Sequence, residues 1–149
     1  MELVLFIGLQ GSGKSTFFAR KFADTHIRLN MDMLNTRHRE QILFEACLLA
    51  KQPTVIDNTN PTVEERARYI AAAKAHRFSV VGYYFQSRLE ACKQRNAVRS
   101  EDKIVPMAGI LGTYNRLVQP TAAEGFDRLY DVRIEEGGEF IVEEWSSEV

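Results

Sequence analysis

Short apolar runs alternate with longer mixed segments along this chain, and the alternation predicts its elements. Leu3-Val4-Leu5-Phe6-Ile7 is a continuous apolar run ending at Gly8, which suits a strand buried on both faces. Residues 15–23 have helical composition, and Ile27 to Leu29 reads as a short second strand. Asp32 stands where it can cap a long helix reaching about Lys51. Pro53 closes that region, and Thr54-Val55-Ile56-Asp57 reads as a third strand ending in an acid. Pro61 marks a helix start, with residues 62–76 helical and rich in alanine. A strand follows from Phe78 to Phe85, then a helix from Arg88 to Val98 and a charged loop from Arg99 to Lys103. Pro106 opens a helix to about Val118. Tyr130 to Ile134 is a last strand, which Gly137-Gly138 turns into a hairpin with Phe140-Ile141-Val142.

Strand and helix alternate throughout, so the expected fold class is α/β: three layers around a central, mainly parallel sheet, with a small lid. The 149 residues are expected to form one domain, with an acidic segment from about 134 to 149. The N-terminal apolar run is too short for a signal peptide or a membrane span, so a cytoplasmic protein without a membrane partner is expected. Cys47 and Cys92 both fall in helical segments and read as reduced packing residues.

Charge changes the picture only through its distribution. The net charge is −1, yet six acidic residues and no basic one lie from Ile134 onward. The first 133 residues hold 14 acidic residues and all 19 basic ones, a net of +5. The acidic end is equally readable as a solvated face, and the body before it suits a phosphate-rich partner.

The chemistry starts at Gly8-Leu9-Gln10-Gly11-Ser12-Gly13-Lys14-Ser15, a full match to G-x-x-x-x-G-K-[ST] between a strand and a helix. Glycines let the backbone curl so that successive N–H groups face phosphate oxygens, and the following helix turns its positive end to the same anion. Gly11, Ser12, Gly13, Lys14, Ser15 and Thr16 are therefore the expected nucleotide-binding residues. Lys14 is expected on the β- and γ-phosphates and the Ser15 hydroxyl on Mg²⁺. Ligands in open α/β sheets bind at the carboxyl ends of strands, which singles out two acids. Asp32 suits a general base or, equally, a plain helix cap. Asp57 suits Mg²⁺, with an ordinary Asx-turn loop as the alternative. Arg88, Lys93, Arg95 and Arg99 crowd one helix and loop, as either a phosphate-neutralising lid or a solvated basic face. Arg37, His38 and Arg39 follow Asp32, where basic groups suit an acceptor carrying its own phosphate, or simply the surface.

Five further segments carry a resemblance: Asn30-Met31-Asp32, Val55 to Pro61, Arg66-Ala67-Arg68-Tyr69-Ile70, Arg95-Asn96-Ala97-Val98-Arg99, and Pro120 to Phe126. In this order, over about residues 1 to 134, the chain resembles the 5′-kinase domain of polynucleotide kinases. The animal kinase/phosphatase is the closer match in the third-strand and Pro120 segments. The resemblance implies transfer of the γ-phosphate of ATP, with Mg²⁺, to the 5′-hydroxyl end of DNA or RNA. It implies Lys14 and Ser15 on nucleotide and metal, Asp32 as general base, Asp57 as the strand-end acid, and Arg95 and Arg99 as lid residues, with Arg99 on the ATP phosphates. In the phage enzyme the arginine that grips the acceptor phosphate follows the base by three residues. This chain has Asn35 there, and Arg37 or Arg39 is expected to substitute. At this length a kinase domain standing alone, without a phosphatase or ligase module, is expected. Two other classes stay open on the residues: a P-loop kinase for a nucleoside or sugar, and a non-catalytic NTP-binding module.

Overall fold

The computed structural model describes residues 1–86 and 88–145 of the chain. Strands β1 (Glu2–Ile7), β2 (Ile27–Leu29), β3 (Thr54–Ile56), β4 (Ser79–Phe85), β5 (Arg128–Ile134) and β6 (Phe140–Glu144) form one sheet in the order β2-β3-β1-β4-β5-β6. The first five are parallel to one another, and only β6 runs antiparallel, paired to β5 through the expected glycine hairpin. The helices are α1 (Lys14–Lys21), α2 (Met31–Leu34), α3 (Arg37–Leu49), α4 (Val63–Ala75), α5 (Leu89–Ala97) and α6 (Met107–Arg116).

The apolar run of β1 is buried throughout because it feeds two cores, one on each face of the sheet. Leu3, Leu5 and Ile7 pack with Phe44 and Leu48 of α3 and Tyr69, Ile70 and Ala73 of α4. Val4 and Phe6 pack on the other face with Phe17 and Phe22, Val81, Tyr83, Phe85 and Val132. That face is an aromatic cluster, with Phe6 meeting Phe17 and Phe85 edge-on at centroid distances of 5.8 and 5.0 Å. The three-layer α/β expectation is borne out. Among the described residues, no helix is long and apolar enough to cross a membrane. Cys47 and Cys92 are buried and unbridged.

The long helix expected after Asp32 is corrected. Asn30, not Asp32, caps α2, its side chain accepting from the Met33 amide, and α2 stops after four residues. Asn35 breaks the run at φ 69°, and Thr36 then caps α3 by accepting from the Arg39 amide. Two cap residues so close together cannot serve one continuous helix. Asp32 is left free in the first turn of α2. Helix α4 likewise starts one residue later than its proline suggests, capped by Thr62. Of the acidic end, Glu135 and Glu143 pair with Arg133 at 3.6 and 3.2 Å, and Glu148 lies outside the described residues.

Arg66 is the largest fully buried side chain. It donates two bonds to Glu124, at 2.8 and 3.1 Å, and one each to the Asn60 and Val118 carbonyls, both at 3.0 Å. A charge this deep is tolerated because each of its three nitrogens finds an acceptor and Glu124 supplies the counter-charge. Arg66→Ala strands the Glu124 carboxylate and two carbonyls. It is expected to cost about 3 kcal/mol or more in denaturant unfolding. A loss within 1 kcal/mol would mean that water replaces the guanidinium.

Candidate functional site

The loop between β1 and α1 lies at the carboxyl edge of the sheet, and its curl is set by glycines where side chains have no place. Gly11 has φ 78°, and a Cβ there would lie 2.5 Å from the Cys92 carbonyl oxygen of α5. Gly13 has φ 98° and faces Ile134 of β5 at a distance that would be 2.8 Å from a Cβ. The loop is thus pressed between the lid helix and the last hairpin. Arg95 donates to the Gly11 carbonyl at 2.9 Å and joins loop to lid. Gln10 reaches Thr113 of α6 at 3.0 Å.

Lys14 folds back into this loop. Its Nζ donates to the Gly8 and Leu9 carbonyls at 2.9 and 2.6 Å. Burial pulls its pKa down from 10.5 to about 8, against the opposing pull of Asp57. The ammonium is therefore fixed in place and short of a full counter-charge, a state that an incoming phosphate relieves.

The segment after β3 is latched to its surroundings by three asparagines. Asn30 donates to the Asp57 carbonyl at 2.6 Å. Asn58 accepts from the Met31 amide at 3.0 Å and donates to Glu40 at 2.8 Å. Asn60, at φ 44°, donates to the Phe6 carbonyl at 2.8 Å. The Gly8 amide donates to the Thr59 carbonyl at 3.0 Å. Together these bonds tie the third strand end to the glycine loop and to α2.

Asp57 is 1% exposed and lies just past β3. Its Oδ2 accepts from Ser15 Oγ at 3.2 Å and from Arg28 Nε at 2.7 Å. Its Oδ1 is buried with no hydrogen-bond partner. A buried carboxylate oxygen left open beside a serine hydroxyl fits an oxygen-loving divalent cation such as Mg²⁺, bound directly or through water. Among the described residues no three acidic, histidine or cysteine side chains gather into a metal cage. Such an ion would complete its shell with phosphate oxygens and water, as Mg²⁺ does.

A cleft of about 480 Å³ collects these groups. It is lined by Gln10, Gly11 and Gly13 to Thr16, by Asp57 to Thr59, by Asn30, Met31, Asp32 and Arg37, and by Arg95, Arg99 and Val105. Most of the residues expected from sequence for nucleotide, metal, lid and base thus share one space, but Ser12 is buried in the loop without lining it, and Arg88 and Lys93 do not line it either. Arg39 is apart from them. It does not line the cleft, and its guanidinium donates to the Leu34 carbonyl at 3.3 Å. Arg37 does line the cleft, steered by bonds to Glu40 and Tyr69 at 3.0 and 3.1 Å. Burial alone would raise the Glu40 carboxyl, but hydrogen bonds from Tyr69 and Asn58 and the Arg37 charge outweigh it and hold the carboxyl below its ordinary value. The lid loop is closed at its base by Asn96, which donates to the Val105 carbonyl at 2.8 Å and accepts from the Val105 amide at 2.9 Å.

Arg28, Glu40, Asn58 and Asn60 are absent from the sequence-level site. The asparagines are visible there only as turn-formers, and a lone arginine in a three-residue strand carries no signal. The arrangement can hold a polyphosphate on the loop, neutralise it from the lid, and present the free Asp32 carboxylate to an acceptor entering from the α2 side.

Comparison with known proteins places the chain in a family and a fold. A family profile described as "AAA domain" matches residues 31–119, more than half of the chain. A bifunctional polynucleotide phosphatase/kinase from Schizosaccharomyces pombe is 30% identical over 135 residues, covering 88% of this chain and 33% of that protein. This chain spans about a third of the length of the curated relatives it matches. Among solved structures, Chaetomium thermophilum Kti12, in complex with ADP-AlF3, superposes with a TM-score of 0.64 at 16% identity, over 91% of this chain and 92% of that one. A sugar kinase from Janibacter sp. HTCC2649 gives 0.67 at 16% identity, over 88% and 85%. These two likenesses establish the shared fold.

Proposed function

We propose that this chain, which belongs to the AAA domain family, is a P-loop phosphotransferase that moves the γ-phosphate of ATP to the 5′-hydroxyl end of a polynucleotide. The observation that carries this reading is the single cleft, where Lys14, Ser15, Asp57, Arg95 and Arg99 meet Asp32 and Arg37. The relative with the polynucleotide name supplies the acceptor class. The acceptor side itself favours a chain end over an enclosed small molecule. Asp32 is exposed there, Met33 is 55% exposed, and Arg37 stands at the rim.

In this mechanism the loop amides and Lys14 hold the β- and γ-phosphates. Asp32 takes the proton of the attacking hydroxyl as its oxygen bonds to the γ-phosphorus and the bond to the ADP oxygen breaks. Arg95 and Arg99 neutralise charge on the transferring group from the lid, and Arg37 meets the acceptor's phosphate. Ser15 and Asp57 would hold Mg²⁺, which neutralises phosphate charge when bound. The reduced Cys47 and Cys92 suit a cytoplasmic setting.

The test is transfer of labelled γ-phosphate from ATP, with Mg²⁺, to a 5′-hydroxyl oligonucleotide, run as DNA and as RNA. Label on either supports the reading. No label from protein that binds ATP would redirect the search to nucleosides and sugars.

Lys14 also sets a pH dependence. Its ammonium is charged below about pH 8 in the free protein, and bound polyphosphate raises that value. Binding therefore takes up a proton above pH 8. The affinity for ATP is expected to fall by up to about tenfold per pH unit above 8, and to be flat with respect to this group below it. Calorimetry from pH 7 to 9.5 reads this directly, and a pH-independent affinity would place the Lys14 value well above 8.

A further inference from the structure

Arg28 projects from the edge strand β2 onto the pair assigned to the metal. Its Nε donates to Asp57 Oδ2 at 2.7 Å, and its Nη2 donates to Ser15 Oγ at 2.8 Å. Ser15 in turn donates to the same Oδ2 at 3.2 Å. The three groups close a ring, braced where Arg28 lies over Phe18, 6.0 Å from the ring centroid. The Arg28 side chain is 29% exposed and Asp57 is 1% exposed, so water screens this pair only in part.

This ring has two consequences. It spends the Ser15 proton and one Asp57 oxygen, so that a Ser15 lone pair and Asp57 Oδ1 are left for a ligand. The buried Oδ1 has no hydrogen-bond partner. It also places a full positive charge against the carboxylate assigned to the cation. Without a protein-only cage among the described residues, that charge opposes metal binding until phosphates bring more negative charge.

We propose that Arg28 is a built-in counter-cation of the metal site. It holds Ser15 and Asp57 in ligating posture in the nucleotide-free protein and makes divalent metal binding conditional on bound nucleotide. The proposal rests on the assignment of Ser15 and Asp57 to the metal, and it is independent of which hydroxyl accepts the phosphate. Arg28 is here a positioning residue: it acts through the pair and touches no reacting atom.

The experiment is a Mn²⁺ titration of nucleotide-free protein, Mn²⁺ standing in for Mg²⁺ and free Mn²⁺ being read by its paramagnetic resonance signal. Neighbouring charges at contact range shift ionic equilibria by roughly one to three powers of ten. Arg28→Met is therefore expected to bind Mn²⁺ about tenfold or more tightly than wild type. Arg28→Lys keeps the charge and is expected to stay weak. Adding Asp57→Asn to Arg28→Met should remove the gain. Equal affinity in wild type and Arg28→Met, in folded proteins, would overturn the proposal. If Arg28→Met does not fold, Arg28→Gln keeps a donor without the charge and is read the same way. Wild type alone also decides. Nucleotide-free protein that binds Mn²⁺ as tightly as protein holding a non-hydrolysable ATP analogue overturns the proposal without any variant. A different failure marks the underlying assignment: if Asp57→Asn leaves Mn²⁺ binding unchanged in the analogue-bound protein, the Ser15–Asp57 pair is not the metal site.

Discussion

Asp32→Ala is expected to lower phosphoryl transfer by roughly 10²- to 10⁴-fold while leaving ATP affinity within about twofold, the range general-base removal produces elsewhere. The split follows from position. Asp32 lies on α2, on the acceptor side of the cleft, and takes no part in the glycine loop's hydrogen bonds. The residue is exposed and caps no helix, because Asn30 serves that purpose. Its loss therefore leaves α2 standing and removes only a proton acceptor. Transfer rates under saturating ATP, beside calorimetric ATP binding, separate the two quantities. A variant that keeps full activity removes Asp32 as the base. One that loses ATP affinity in step with rate makes Asp32 part of the nucleotide site.

Lys14→Ala is expected to fail differently, losing roughly 10³-fold or more in rate together with much of the ATP affinity. Removing a single uncharged donor from a charge-stabilising site costs about 10²- to 10³-fold, and Lys14 supplies a whole charge. That charge is pre-positioned by the Gly8 and Leu9 carbonyls, so no reorganisation is needed when negative charge gathers on the transferring group. Ammonium burial disfavours the folded, nucleotide-free protein below the unfolded pKa near 10.5, because the folded value is only about 8. The variant is thus expected to melt no more than a few degrees below wild type without nucleotide. It should gain far less stability when ATP is added. A variant with wild-type rate would exclude Lys14 from charge stabilisation. One that is already unfolded without nucleotide would assign the lysine a structural role.

Set beside each other, the two variants divide the cleft into a donor half and an acceptor half. Arg37 belongs to the second half and is held there by Glu40 and Tyr69, which also bind each other at 2.7 Å. Arg68 completes the cluster, donating to Glu40 at 3.1 Å and lying over the Tyr69 ring at 4.4 Å. This cluster supports the acceptor role proposed for Arg37, although Asn35 occupies the position three residues after Asp32. Asn35 instead supplies the positive φ that ends α2 and lets α3 restart at a new angle. Arg39 points away to the Leu34 carbonyl and tightens the same turn.

The elements legible in the sequence are those set by neighbours along the chain. An unbroken apolar run marks a doubly buried strand, and β1 is one. Eight consecutive residues mark a phosphate loop, because its curl depends on its own glycines. The alternation of strand and helix dictates a parallel sheet, since each return needs a crossover. Asp57 is visible because a strand end sits beside the loop in any such sheet. What only the tertiary structure decided depends on partners far apart in the chain. Arg28 meets Asp57 across 29 positions, and Arg66 meets Glu124 across 58. The break between α2 and α3 was hidden for a related reason. Asp32 and Asn30 are both good caps, and the choice fell to Asn30 because its amide also reaches the Asp57 carbonyl on the neighbouring strand end. A carboxylate has no proton to give that carbonyl, so the geometry of β3 freed Asp32 for the cleft.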